Sequence, residues 1–161
     1  MSRVQVRIRR KRKVNAPPPP SSEAARKRMS STGQRDTPPE WEIRRRLFAR
    51  GFRYRVDAPV LSKPRRRADI VFPGIQVAVF VDGCFWHGCP LHGTWPKANA
   101  DFWREKIETN RARDADTNRR LREEGWLVIR IWEHESPDDA VEKIVKLVEG
   151  RRLKQSKRIP S

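Results

Sequence analysis

The chain has 161 residues, 13 of them proline, and a formal net charge of +17. That length allows one domain with tails, and no apolar run approaches the roughly 20 residues of a membrane-spanning helix. The first thirty residues pair a charged start with no hydrophobic run, which argues against a cleavable secretory signal. The expectation is a soluble, cytoplasmic protein with no membrane partner.

The charge is unevenly placed. Residues 1–35 hold 11 Lys/Arg against the single acid Glu23, a share of +10; residues 150–161 hold five and no acid, +5, which leaves +2 for residues 36–149. Basic tails of this kind attract phosphate backbones through counterion release without reading sequence. The bland alternative is a solubilising tail.

In chain order, residues 1–27 combine Arg9-Arg10-Lys11-Arg12-Lys13 with Pro17 to Pro20. This composition cannot bury a core and predicts a disordered basic arm. One folded domain is expected over 28–149, with a basic C-terminal tail over 150–161. Thr37, Pro38 and Pro39 open a helix in which Ile43, Leu47 and Phe48 recur at helical spacing, and Gly51 ends it. Phe52 to Val56 alternates as a strand, and Arg65-Arg66-Arg67 reads as a basic loop. Ala68 to Phe72, a Pro73-Gly74 turn and Ile75 to Val81 predict a β-hairpin whose second strand is buried on both faces.

Residues 82–98 lack periodicity. A long helix is expected from about Asn99 to Glu124, with Phe102, Trp103, Ile107 and Leu121 as its apolar stripe and Gly125 as its stop. Trp126 to Trp132 is a strand. Ser136-Pro137-Asp138-Asp139 opens a last helix with Val141, Ile144, Val145 and Val148 facing inward. The order α-β-β-β-α-β-α predicts an α/β fold, a mixed sheet flanked by helices.

Two groups of residues carry chemistry. Cys84 and Cys89 are the only cysteines, and with His92 they form C-x4-C-x2-H in one loop. Closed structural zinc needs a fourth ligand; His134, just past the last strand, is one candidate and His87 the other. The competing readings are a pair of free thiols or, in an exported protein, a disulfide. The second group is acidic. Asp69 and Asp82 stand on the two hairpin strands, and Glu40 and Asp114 on the first and the long helix could complete a pocket of hard oxygen ligands suited to magnesium. A lone carboxylate is usually a solvated surface group. Asp69 differs because it precedes Ile70-Val71-Phe72 inside an apolar strand, where an unpaired charge is costly. His87 is the candidate general base, since imidazole titrates near neutrality.

Glu40, Asp69, the run Val81-Asp82-Gly83-Cys84-Phe85-Trp86-His87, then Asp101-Phe102-Trp103-Arg104-Glu105-Lys106-Ile107, Asn110, Arg113-Asp114, Gly125-Trp126 and Trp132-Glu133-His134 form an ordered set. Together with Arg28-Met29-Ser30 and Arg35-Asp36-Thr37, this set resembles the Vsr DNA mismatch endonucleases over about residues 28–149. The resemblance implies a divergent PD-(D/E)XK, restriction-endonuclease-like core with a zinc-binding loop. It implies a magnesium-dependent nick in double-stranded DNA 5′ to the thymine of a T:G mismatch, the lesion left when 5-methylcytosine deaminates. On the same ground Asp69 and the Val81 backbone carbonyl are expected magnesium ligands, and Asp82 is a further expected ligand by its likeness to ordinary PD-(D/E)XK chemistry. His87 matches the residue that activates water, and Glu40 and Asp114 match supporting carboxylates. Cys84, Cys89, His92 and His134 match the zinc site, and Phe85, Trp86 and Trp103 match aromatics that wedge into the duplex. The alternative for these three is core packing. Apolar wedges unstack base steps for a few kcal/mol, and a mismatch lowers that cost.

One position departs from the family pattern: Asp82 stands where the best-known members carry histidine, and no lysine of the usual nuclease motif follows it, which fits His87 in that role. The implied partners are mismatched duplex DNA in the nucleoid and, functionally, a cytosine methyltransferase and mismatch-repair proteins. Two other classes are compatible with the residues: a nuclease of the same fold acting on other DNA, as in defence, and a zinc-stabilised DNA-binding module without catalysis.

Overall fold

The computed structural model describes residues 36–158 apart from residue 94, and residue 23 on its own. The expected arm over 1–27 and the opening motif at 28–35 otherwise lie outside the described residues. The element order is α1 (Pro38–Ala49), β1 (Arg55–Leu61), β2 (Arg66–Phe72), a 3-10 turn (Pro73–Ile75), β3 (Val77–Asp82), α2 (Ala100–Glu123), β4 (Leu127–Trp132) and α3 (Pro137–Ser156). This is the α-β-β-β-α-β-α succession that the sequence predicts. No helix among the described residues is long and apolar enough to cross a membrane.

The four strands lie in the order β1-β2-β3-β4. β1 with β2 and β2 with β3 are antiparallel, as short connections require, whereas β3 and β4 are parallel and joined by the crossover helix α2. Strand parity then sorts the side chains into two layers. On one side Ile70, Phe72, Val77, Val79, Ile129 and Ile131 pack with Ile43 and Leu47 of α1 and with Val141, Ile144 and Val148 of α3. On the other, Val71, Ala78 and Phe80 pack with Leu121 of α2. β3 sits between both layers, so Val77, Ala78, Val79 and Phe80 are all buried, as its continuous apolar run predicts. A pair from Arg46 Nε to Asp138 ties α1 to α3 at 2.9 Å, and Arg66 Nε donates to Thr117 Oγ1 at 3.0 Å between β2 and α2.

Several boundaries differ from the sequence reading, each for a local reason. The first strand is Arg55–Leu61 rather than Phe52–Val56. Pro59 disguises it, because proline is tolerated only on an edge strand such as this one. Phe52 instead enters the core, its ring 6.3 Å from Phe72 in an edge contact. Arg66 and Arg67, read as loop, begin β2. The hairpin turn extends to Gln76, which takes a left-handed conformation with φ 53°, so β3 starts at Val77 rather than Ile75. Gly51 and Gly125 follow α1 and α2 with φ of 84° and 86°, the positions where a helix stop favours glycine. α3 continues to Ser156, several residues into the stretch read as a basic tail.

Leu121 is fully buried where α2 rests on the sheet. Leu121→Ala is expected to cost about 2–5 kcal/mol and to lower the melting temperature by roughly 10 °C in a thermal scan. A loss under 1 kcal/mol would mean that α2 is not anchored by this contact.

Candidate active site and metal-binding loop

A cavity of about 730 Å³ opens between the sheet, the middle of α2 and the first turn of α1. Glu40, Asp69, Val81, Asp82, His87 and Asp114 all line it. The sequence-predicted acids and histidine therefore share one cavity, although they come from five different segments; Asp82, His87 and Asp114 group closely within it, and Asp69 and Glu40 stand outside that group. Strand geometry explains most of this. Asp69, Asp82 and Arg130 have the parity of Val71, Phe80 and Val128, so all three face α2.

Asp69 lies one step along β2 from the Ile70–Val79 pair. Its Oδ2 accepts the Val81 backbone N–H at 2.7 Å. Burial pushes its carboxyl up to about 6, and the charges of Glu40 and Asp82 add to the rise, while the Val81 N–H and Arg130 oppose it. Glu40 is buried in the first turn of α1, where Thr37 Oγ1 and the Asp36 N–H donate to it at 2.9 and 3.0 Å and Arg44 pairs with it at 3.3 Å. This ties the start of α1 to the pocket.

Asp82, the last residue of β3, is buried and accepts from Arg130 Nη1 at 2.7 Å. Burial raises its carboxyl above the ordinary value, against the pull of Arg130 and His87. His87 hydrogen-bonds Asp114 through Nδ1, and the same nitrogen lies 3.8 Å from Asp82 Oδ1. Burial also pushes Asp114 up, but the His87 hydrogen bond and the Arg130 charge outweigh it and hold the group below the ordinary range. Asp114 is thus the ionised partner that orients the imidazole. Ligand atoms of Asp82, His87 and Asp114 fall within 4.8 Å of one another.

The loop after β3 winds back on itself through backbone bonds from His87 to Gly83, Cys89 to Cys84 and Gly93 to Cys89. At Gly93 a Cβ would meet the Cys89 carbonyl at 2.4 Å, so only glycine permits the last turn. The winding gathers Cys84, Cys89 and His92, and His134 joins them from beyond β4; their ligand atoms lie within 4.8 Å of one another. Cys84 Sγ and Cys89 Sγ are 3.0 and 3.6 Å from His134 Nδ1, against roughly 3.5 Å between ligands of a tetrahedral zinc. The cysteines are free rather than bonded to each other, and burial, with Cys89 beside it, pushes the Cys84 thiol up to about 11. His134, not His87, completes this group.

Phe85, Trp86 and Trp103 form a cluster of edge contacts with centroids 5.2 to 5.9 Å apart. Trp103 is 8 % exposed, so the surface this cluster offers comes from the half-buried Phe85 and Trp86. Asn110 of α2 donates to the Trp86 carbonyl at 2.9 Å and holds the loop to the helix.

Sequence reasoning missed two residues. Arg130 bridges Asp82 and Asp114, and Glu133 Oε1 accepts the Cys84 N–H at 2.7 Å. The available signal for Arg130 was a single cation at inward parity in the otherwise apolar run Leu127 to Trp132. Glu133 stood inside a recognised motif but without an assigned contact.

Residues 21–92 match the family model described as "DNA mismatch endonuclease Vsr". The chain is 43% identical over 119 residues to the type II nicking enzyme V.NaeI of Lentzea aerocolonigenes, covering 73% of this chain and 72% of that protein. It is 41% identical over 118 residues to the type II nicking enzyme V.NmeAIP of Neisseria meningitidis, covering 71% and 81%. It is 36% identical over 110 residues to the DNA mismatch endonuclease Vsr of Escherichia coli, covering 66% and 67%. With a family model matched over residues 21–92 and relatives this similar covered over two thirds or more of their own length, the chain belongs to the Vsr family and is a DNA endonuclease.

Proposed function

We propose that this endonuclease nicks one strand of double-stranded DNA 5′ to the thymine of a T:G mismatch, in a magnesium-dependent reaction that starts very short patch repair of deaminated 5-methylcytosine. The observation that carries the chemistry is the His87–Asp114 hydrogen bond in the same pocket as the buried carboxyl of Asp69. The mismatch assignment draws on the relative described as a mismatch endonuclease, and the single-strand cut on those described as nicking enzymes. The site of action is then the cytoplasmic nucleoid, alongside a cytosine methyltransferase and mismatch-repair proteins that handle the same lesion.

The donor set fits a hard cation: Asp69, the Val81 carbonyl and Asp82 offer oxygens, and a divalent charge would offset the burial, and with it the repulsion from Glu40 and Asp82, that raises Asp69. Magnesium would polarise the phosphodiester and stabilise the leaving oxygen. With Nδ1 committed to the Asp114 carboxylate, His87 presents Nε2 to take a proton from the attacking water, as an oriented imidazole does in other hydrolases. Glu40 adds negative charge beside Asp69 and anchors α1. Phe85 and Trp86 form the apolar edge that enters the duplex, with Trp103 packed behind them. Cys84, Cys89, His92 and His134 have the sulfur and nitrogen donors of structural zinc.

A second reading, cutting of matched or foreign duplexes, is favoured by relatives whose description names nicking and no mismatch. The decisive assay compares T:G and matched duplexes with and without magnesium. Preferential nicking of the T:G strand with magnesium supports the proposal, and equal rates on both duplexes favour the second reading.

In the same assay Asp69→Asn is expected to lower nicking at least about 10³-fold while stabilising the metal-free fold. The folded protein holds the Asp69 proton more tightly than the unfolded chain does, because the group is raised to about 6 from 3.8. Its charge therefore destabilises the fold above pH 6, and the penalty fades as pH falls toward 4. Asp69→Asn should gain on the order of 2 kcal/mol at pH 8 and nothing at pH 4, read from chelator-treated melts. A variant less stable than wild type at pH 8 would contradict the electrostatic account.

His87→Ala should slow nicking about 10²–10⁴-fold, and Asp114→Asn should lose part of the same factor, with the double variant no slower than His87→Ala. Additive losses would separate the two residues. Cys84→Ser is expected to abolish stoichiometric zinc in elemental analysis and to lower the melting temperature, since structural zinc binding is folding energy. Full zinc occupancy in that variant would refute the ligand set.

A further inference from the structure

Arg130 sits in β4 between Ile129 and Ile131, both buried, where an unpaired charge would be expensive. Its guanidinium is fixed on three sides. Nε donates to Asn118 Oδ1 at 3.1 Å, Nη1 donates to Asp82 Oδ1 at 2.7 Å and lies 3.5 Å from Asp114 Oδ1, and Cζ lies 4.3 Å from the Phe80 ring centre. Among the described residues Nη2 carries no hydrogen bond, although a guanidinium has five N–H donors. Arg130 lines the cavity with 21% of its side chain exposed. Neutralising Asp82 needs only one of its nitrogens, so that role leaves the rest of the fork unexplained.

The charge balance of the cavity gives the spare donors a use. A phosphodiester entering the cavity meets Asp69, Asp82 and Asp114; of the other two lining carboxylates, Glu40 is paired with Arg44 and Glu133 accepts the Cys84 N–H. Of the six lysines and arginines that line the cavity, Arg130 is the one in ion pairs with two of those acids, Asp82 and Asp114. We propose that Arg130 is a catalytic residue whose Nη2 holds a non-bridging oxygen of the scissile phosphate. The contact seats the phosphate beside His87 and Asp69 and stabilises the charge that builds on it when water attacks. The inference rests on the active-site reading above and adds to it the residue that grips the substrate. Its two engaged nitrogens and the stacked ring preorganise the donor, so little motion is lost when the phosphate binds.

The test uses the full chain as wild type, Arg130→Met and Arg130→Lys. Single-turnover nicking with magnesium should fall about 10²–10³-fold in Arg130→Met, the range for removing one preorganised donor, with partial recovery in Arg130→Lys. Binding is then measured in chelator on duplexes with either a phosphate or a neutral methylphosphonate at the nicked position. The methylphosphonate should weaken wild type several-fold and leave Arg130→Met nearly unaffected, because the contact it removes is already gone. Equal weakening of both proteins, or nicking by Arg130→Met within about threefold of wild type, overturns the proposal. Should Arg130→Met fail to fold, Arg130→Lys keeps the charge and carries the same comparison. Nicking of matched DNA alone by wild type would sink the mismatch assignment and not this one, since the comparison is then run at the position that is cut.

Discussion

The protein is organised around like charges held close together out of water. Five carboxylates line one cavity, and those at positions 40, 69, 82 and 114 are the acids that the sequence singled out. Burying them would be prohibitive if each stood alone. Each is assigned a donor: Arg44 and Thr37 for Glu40, the Val81 N–H for Asp69, Arg130 for Asp82 and His87 for Asp114. The compensation is incomplete at Asp69, whose carboxyl is raised to about 6. A fold that retains such a group spends stability to keep it, as perturbed carboxyls at functional sites do.

The same strands carry the second centre. Asp82 ends β3, and Cys84 follows two residues later; Trp132 ends β4, and His134 follows two residues later. The parallel pair Asp82–Trp132 sets both starting points. Glu133 stands between the centres, holding the Cys84 N–H while its own N–H donates to the Asp82 carbonyl. The cysteine and histidine loop is thus fastened to the rim of the cavity rather than appended elsewhere. Fixing the loop also fixes Phe85, Trp86 and His87, which ride on it.

Much of this architecture was legible in the sequence. Hydrophobic periodicity gave the order of elements, and the apolar run through Val79 marked the doubly buried strand. The glycines at 51 and 125 marked two helix stops. What failed was local: Pro59 hid an edge strand, and Arg66 and Arg67 read as loop because nothing in sequence reveals that Thr117 and Asp57 receive them. The candidate site was proposed from its ordered motifs; the need for a fourth donor left His134 and His87 both open, the family resemblance pointed to His134, and His134 is the one gathered with Cys84, Cys89 and His92. Arg130 was not found, since its role depends on a parallel register with β3 across a helix of 24 residues. Long-range pairing of that kind leaves no mark in local spacing.

The crossover also sets when the centre comes into being. Glu40, Asp69, Asp82 and His87 precede α2, whereas Asp114, Arg130 and His134 lie within or beyond it. Pairing β4 with β3 closes the longest loop in the sheet, a step that topology makes slow. Until it closes, Asp82 stands without its guanidinium and the two cysteines stand without His134. The acidic cavity and the cysteine–histidine group are thus completed together, by the last strand to join the sheet.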